Sequence, residues 1–410
     1  MSLPLVLVDP PAAPFWPLAA TRPVAHLLAG TRTFAARWAA RAGPVAALWS
    51  EATVASASPA EEGVSRAAWP PASDGYGIAL STWVPPRGWE FGAEPAELQA
   101  SGVAVGWRVD REQARALAEA SDSSDVRARL AGLGLAPREV GGRFLDSIWA
   151  VMSAVPELVA EDAADLEGGD TITGVDPFVL LGEPVMLKVM AGVSIGPFVV
   201  LDTRTGPVVL DEDVRIEPHT VLRGPLYVGR ASTILGGVVS VSSIGPDSKI
   251  HGDLEQSIVQ GYSNKAHEGF VGHSVLGEWV NLGAGTTTSD LKNTYGSVRV
   301  EGPEGTVETG LIKVGSFVGD HVKTGIGTLL TTGARIGVGS HVYGGGVAPR
   351  WLPDFSWHDG RRTTTVRWEA FHRTAELAMA RRGRTMTEGD HVILADLHAA
   401  AGGAHRDRGA

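Results

Sequence analysis

Residues 208–250 read VVLDEDVRIEPHTVLRGPLYVGRASTILGGVVSVSSIGPDSKI. Val208, Val214, Thr220, Leu226, Ser232, Val238, Ile244 and Ile250 recur at every sixth position. Leu210, Ile216, Leu222, Val228 and Ile234 form a second row two residues later. The beat returns as Ser316, Val322, Thr328, Ala334 and Ser340, accompanied by Val318, Thr324, Leu330, Ile336 and Val342. A period of six is neither the 2.0 of an isolated strand nor the 3.6 of a helix. It is the hexapeptide signature of a parallel β-helix, in which each short strand makes one side of a triangular coil. Small and aliphatic residues of the rows point into the prism. Glycines such as Gly224, Gly229, Gly236, Gly245, Gly319, Gly325 and Gly337 follow them at the corners, where the backbone turns tightly.

Working outward, the coils extend over about Val179 to Val347. Two stretches break the beat. Gly252–Thr294 crowds polar residues among glycines, and Tyr295–Leu311 reads as a protruding hairpin. Upstream, Leu3–Val8 reads as a buried strand ending at Asp9. Thr33–Arg41, Asp110–Leu130 and Arg143–Ala163 read as helices, the last interrupted by Pro156. Pro70–Arg87 reads as loops and short strands. After Pro349 come a Pro/Trp-rich exit and a tail helix, Val366–Arg382, stopped at Gly383. The division expected is an α/β domain over 1–165, a β-helix over 166–350 and a C-terminal extension with a helix over 351–410.

Composition narrows the function. The chain has 410 residues, 52 of them glycine, and a net charge of -11 without a basic stripe, which argues against nucleic acid as partner. It has no cysteine, hence no disulfide, no thiol nucleophile and no Cys-ligated zinc. The N-terminus lacks a basic n-region, and no run of ~18 apolar residues suggests a membrane span. A cytoplasmic location without membrane association is expected.

Insertions in a solenoid often carry function. Gly261–Gly296 gathers Lys265, His267, His273, Asn281, Lys292 and Asn293, and a second cluster, GDHVKTGIGT, carries Asp320, His321 and Lys323. A neutral histidine near pH 7 is a natural general base, and Lys with amide side chains suits a phosphosugar.

The stretch GHSVLGEWVNLGAGT, residues 272–286, resembles the acetyltransferase domain of the GlmU-type bifunctional enzymes, which make UDP-N-acetylglucosamine. That domain carries a Gly-His, then Tyr-Leu-Gly, then Val-Asn-aliphatic-Gly-Ala-Gly-Thr. The N-terminal run LVLVDPPAAPFWPLAATRPVAHLLAGTRTFAARW, residues 5–38, resembles the sugar-nucleotidyltransferase domain of the same family. The resemblance implies a left-handed parallel β-helix, a homotrimer, and acetyl-CoA-dependent N-acetylation of an amino-sugar phosphate. It makes His273 the catalytic base and Asn281 a sugar-phosphate ligand. Lys265, Arg223, His321 and Lys323 become further substrate contacts. Gly283, Ala284, Gly285 and Thr286 would line the acetyl-CoA slot and lend amide N–H groups to the oxyanion; Gly283 and Gly285 read equally as corner glycines.

Two departures stand out. Val275 occupies the place given to the family's tyrosine. The N-terminal domain lacks the Gly-x-Gly-Thr-Arg loop that cradles a nucleotide triphosphate. Asp9, Thr21 and Arg22 are its remaining nucleotide-binding candidates, and Arg22 could equally pair with a carboxylate. Mg²⁺ is expected only if that domain is active, and no second aspartate for it can be assigned. Two other functions fit the sequence: histidine-ligated metal chemistry using His251, His267, His273 and His321, and a non-catalytic sugar-nucleotide-binding protein with a β-helix scaffold. No resident metal site is expected.

Overall fold

The computed structural model describes residues 3–51, 54, 65–66, 68–71, 74–166 and 178–406. The N-terminal domain is a seven-stranded mixed sheet. Its spatial order is Pro137–Glu139, Ala96–Ala100, Val103–Val109, Tyr76–Leu80, Leu5–Val8, Val45–Trp49 and Ser65–Arg66. Leu5–Val8 lies parallel to both its neighbours, with all four residues buried. Leu5 and Leu7 enter one core with Trp38 and Trp83, while Val6 and Val8 enter another with Trp107 and Val126. An uninterrupted apolar run is what a strand covered on both faces requires.

The helices follow their caps. Phe34–Ala42 starts at Thr33, whose side chain accepts from the Ala36 amide. The span 110–130 is two helices, Arg111–Arg115 and Ser123–Gly132, because Asp110 and Asp122 each cap a separate start. The span 143–163 also divides. Arg143–Phe144 is a strand, Ile148–Ser153 is capped by Ser147, and Val155–Ala164 has Pro156 in its first turn, where a proline starts a helix instead of breaking one.

The β-helix has three faces: one nine-stranded sheet, a second of six strands continued by three, and a third of five continued by three, to whose edge Thr363–Thr365 adds antiparallel. The second row of the sequence pattern forms the interior. Val208, Val214 and Leu226 are also fully buried. The six-residue beat does slip, however. Val228 pairs with Ile244 and Ile234 with Ile250, so Ile244 and Ile250 belong to the second row. Val238 pairs with half-buried Val221, one place off the interior, which Val239 fills. The positive φ of Gly236, Gly237 and Val241 accompanies this shortening. The later beat, 316–342, holds: Ser316 pairs with Ala334, Val318 with Ile336 and Thr324 with Val342.

The nine-stranded face is apolar on its outer side as well. Val209, Tyr227, Ile258, Val275 and Phe317 pack there against the helices Ile148–Ser153 and Val155–Ala164. This double-sided burial seats the N-terminal domain on the coils. The hairpin appears as Arg299–Gly302 paired with Gly305–Glu308. Coil strands run on through Trp351–Leu352 and Ser356–His358. The tail holds two helices, Trp368–Ala380 and Glu388–Arg406, the second absent from the sequence-based reading. They cover Val338 and Phe355 with Phe371, Ala375, Ile393 and Leu394.

Candidate active site

His273 stands at the corner between the strands Val271–Gly272 and Val275–Glu278, with φ +45°. Backbone bonds hold it there: its amide donates to the Glu255 carbonyl, and the Gly315 amide donates to its own carbonyl, at 2.9 and 2.8 Å. The ring Nδ1 lies 2.7 Å from Oδ2 of Asp290, and the histidine is 5% exposed. The hydrogen bond from His273 holds the Asp290 carboxyl below its usual range, against the opposing effect of burial. An Nδ1–H donated to a carboxylate fixes the tautomer that leaves the Nε2 lone pair for a proton, and the same carboxylate stabilises the resulting imidazolium. Asp290 was missed from the sequence. It lies 17 residues from His273, on the insertion, where no coil period predicts contact.

The other predicted residues are distributed around the prism. Arg223 shares a column with Ser240, Glu255 and Gly272 on consecutive coils. It is exposed and stands about 14 Å, three strand spacings, from Gly272. Lys265 occupies an interior position paired with Ile250, 2% exposed. Its Nζ donates to the carbonyls of His251 and His267 at 2.6 and 2.9 Å, and burial pushes its pKa down to about 8.

Asn264, Asn281 and Lys323 align on the third face, and the Asn264 amide donates to Oδ1 of Asn281 at 2.9 Å. The Gly-Ala-Gly-Thr amides are largely engaged within the coils. Gly283 donates to the Thr324 carbonyl and Oγ1, Gly285 to the Glu268 carbonyl, and Thr286 to the Gly283 carbonyl. A Cβ on Gly283 would meet the Gly325 backbone at 2.7 Å, and Gly285 has φ +72°, so both glycines are required by the corner itself.

Val275 is fully buried in the interdomain core, away from any ligand surface. The aromatic-aliphatic-glycine part of the motif has another match at Phe270-Val271-Gly272, three residues after the exposed His267.

The three N-terminal candidates carry internal bonds. Asp9 is 2% exposed and accepts from the Val24 and Ala25 amides, both at 2.9 Å, and from Ser81 Oγ at 2.6 Å. Burial pushes its pKa up to about 7. With both oxygens so occupied it does not fit a Mg²⁺ ligand. Thr21 Oγ1 donates to Asp320 at 2.6 Å. Arg22 pairs with Asp320 and, at 2.7 Å, with Glu278. Burial works against the Arg22 charge, but the two carboxylates more than compensate and raise its pKa. His321 lies beneath this cluster, and burial, with Lys323 and Arg22 nearby, keeps its pKa well below normal. Among the described residues no group of three or more His, Asp or Glu side chains could hold a metal.

No family model matches the chain. Curated relatives do match. A bifunctional sugar-1-phosphate nucleotidylyltransferase/acetyltransferase of Sulfurisphaera tokodaii is 32% identical over 156 residues, covering 35% of this chain and 37% of that protein. The bifunctional protein GlmU of Synechococcus elongatus is 26% identical over 262 residues, 54% of this chain and 52% of its own length. The GlmU of Methanococcus vannielii is 30% identical over 196 residues, 47% and 40%. Over these stretches the chain is similar in sequence to GlmU proteins. It spans about a third to a half of the length of these relatives. A crystal structure of UDP-N-acetylglucosamine acyltransferase aligns over 51% of this chain and 79% of its own at 18% identity, with a TM-score of 0.23. The β-helix assignment rests on the strand register above.

Proposed function

We propose that this GlmU-like chain transfers an acetyl group from acetyl-CoA to the amine of an amino-sugar phosphate, with His273 as general base and Asp290 positioning it. The observation that carries the reading is the His273–Asp290 pair, 2.7 Å apart in the segment that resembles the acetyltransferase motif. The amine nitrogen attacks the thioester carbonyl while Nε2 takes its proton. The tetrahedral intermediate then expels the CoA thiolate, and the imidazolium returns the proton to sulfur. No acyl-enzyme forms on a thiol, since the chain has no cysteine. We further propose that the protein is a homotrimer and that its N-terminal domain is structural, because Asp9, Thr21 and Arg22 are committed to internal bonds.

The test is thiol release from acetyl-CoA with glucosamine 1-phosphate. His273→Ala should lower the rate by about 10²–10⁴, the contribution of a positioned acid–base group. Asp290→Asn should lower kcat by about 10–100-fold, matching the 1.5–3 kcal/mol of a hydrogen bond to a charged group. His267→Ala is the decisive control. Loss of activity there with retention in His273→Ala would move the base to His267, beside Phe270-Val271-Gly272. The absence of thiol release across several amino-sugar phosphates would overturn the acetyltransfer reading.

A further inference from the structure

A cavity of about 800 Å³ lies where the hairpin, Arg299–Gly302 with Gly305–Glu308, faces the helix Ile148–Ser153 of the N-terminal domain. Pro14, Trp149, Ala150, Val307 and Leu311 give it apolar walls, and Arg335 lines it too. Neither His273 nor Asp290 lines it. Its size falls within the range of about 300–1,000 Å³ usual for small-molecule sites.

Arg335 is out of place by pattern. Its strand partners on the nine-stranded face are Phe317 and Trp351, and Val275 stands beyond Phe317. A guanidinium thus occupies an otherwise apolar column, and the residue is only 4% exposed. Nη2 donates to the Trp16 carbonyl and, at 3.3 Å, to that of Ala13. The guanidinium carbon lies 4.9 Å from the Trp16 ring centre. Nε is sealed from solvent without a partner. Nη1 faces the hairpin at Gly302, where a Cβ would stand 2.6 Å from it. Among the described residues Nη1 donates no hydrogen bond, and no carboxylate forms an ion pair with Arg335. Asp354 and Glu304 lie near enough to favour the charge, yet burial outweighs them and pushes the pKa down to about 10. Asp354 accepts instead from the Val338 amide at 2.7 Å and from Trp16 Nε1 at 3.4 Å. A buried cation without a counter-ion is costly, and this one borders a cavity that can supply the anion.

The remaining charges select which anion. Asp146, Glu157, Glu304 and Glu308 line the same cavity, and all four are exposed at its mouth. Arg143, the other cation there, is already paired with Glu161. Four carboxylates repel a polyanion in proportion to its charge, while a single negative charge on an apolar body loses least at the mouth and gains most at Arg335. We propose that this cavity binds a small monocarboxylate with an apolar body, its carboxylate on Nη1 of Arg335 and its body against Trp149, Val307 and Leu311. Guanidinium–carboxylate bonds are among the strong, charge-assisted ones. The inference stands apart from the acetyltransfer reading and uses none of its residues.

The experiment is calorimetric titration of the full chain with 3-phenylpropionate, with 3-phenylpropylamine and phenyl phosphate as charge controls. Saturable binding of the carboxylate is expected, tighter than that of either control. Its Kd should rise about tenfold in Arg335→Met, the loss of one charge-assisted bond. Trp149→Ala should raise it at least about threefold through the lost aromatic contact, and serves if Arg335→Met does not fold. Glu304→Gln should narrow the preference over phenyl phosphate. His273→Ala and saturating acetyl-CoA should leave binding unchanged. The proposal is overturned by absence of saturable carboxylate binding, by tighter binding of the amine or the phosphate, or by displacement with acetyl-CoA. An unchanged Kd in Trp149→Ala, or in a folded Arg335→Met, overturns it as well. Binding is read without turnover, so a failed acetyltransfer assay leaves this result standing, and the reverse holds.

Discussion

The early coils and the middle coils of the β-helix are built differently. In the first, Val189 pairs with Leu210 and Ile195 with Ile216, a coil of 21 residues; Leu210 then pairs with Val228, 18 residues on. Their interior is largely aliphatic, with Thr220 and Ser232 buried among the apolar side chains. In the middle, Ile244 pairs with Val259 and Ile250 with Lys265, a coil of 15 residues. There the interior admits Ser242, Ser248, Ser257, Ser263, Ser274 and Lys265, all buried. In the early coils the side-chain interior is stabilised mainly by transfer of apolar surface. Shortened coils bring polar groups inward and must satisfy each of them. The candidate catalytic corner and the cavity beside the tail helix both adjoin the shortened coils.

The largest expected effect sits where the N-terminal domain is latched to these middle coils. Arg22 neutralises Asp320 and Glu278, and burial pushes the Glu278 carboxyl up despite that partner. Arg22→Met should cost about 3–5 kcal/mol, the cost of leaving buried carboxylates without their cation. The deficit, read by denaturant titration, should shrink at low pH, where the raised Glu278 carboxyl is protonated. If Arg22 instead serves a nucleotide, the variant would keep its stability and lose nucleotide affinity.

Next in size is Lys265, the one ammonium inside the shortened coils. Its folded pKa of about 8 lies below the usual 10.5. Between these values the unfolded chain binds more protons, so stability contributed by this group rises with pH. The penalty is fully present below pH 8 and relieved by pH 10.5, a change of up to about 3 kcal/mol. The difference in unfolding free energy between parent and Lys265→Met should therefore move in the parent's favour across pH 8–10.5. A flat difference would place the ammonium in water, where it could meet a phosphate as the sequence suggested.

How far the sequence revealed this molecule follows the same division. Where every coil side has six residues, the pattern gave rows that are buried as expected, including all of Val318, Ile336 and Val342. Where sides shorten, counting by six carried Ile244 and Ile250 into the wrong row, because Gly236 and Gly237 absorb the lost residues without any change in composition. The polar segment 261–296 was visible as a departure from the beat. What its side chains do was not visible. Lys265 turns inward, Asn281 faces the tail, and the Asp290 partner of His273 depends on how a 42-residue excursion between Leu276 and Val318 returns. Arg22 and Asp9 show the same limit. Their motif context suggested a ligand, and only the fold reveals that carboxylates and backbone amides already occupy them.

The smallest effect tests the claim that polar interiors of the shortened coils are satisfied group by group. Ser274 Oγ donates to the Gly272 carbonyl at 2.7 Å and accepts the Ser316 amide at 2.9 Å. Ser316 sits above it in the same fully buried column, yet its own Oγ finds no partner among the described residues. Ser274→Ala leaves a buried amide without its acceptor and should cost about 1–3 kcal/mol. Ser316→Ala removes a hydroxyl that is already unpaired, so it should be neutral within about 0.5 kcal/mol or slightly stabilising. Equal losses in the two variants, measured by the same denaturant titration, would mean that serine fills this column for its size and not for its hydrogen bonds. The contrast between aliphatic and polar coils would then reduce to side-chain volume.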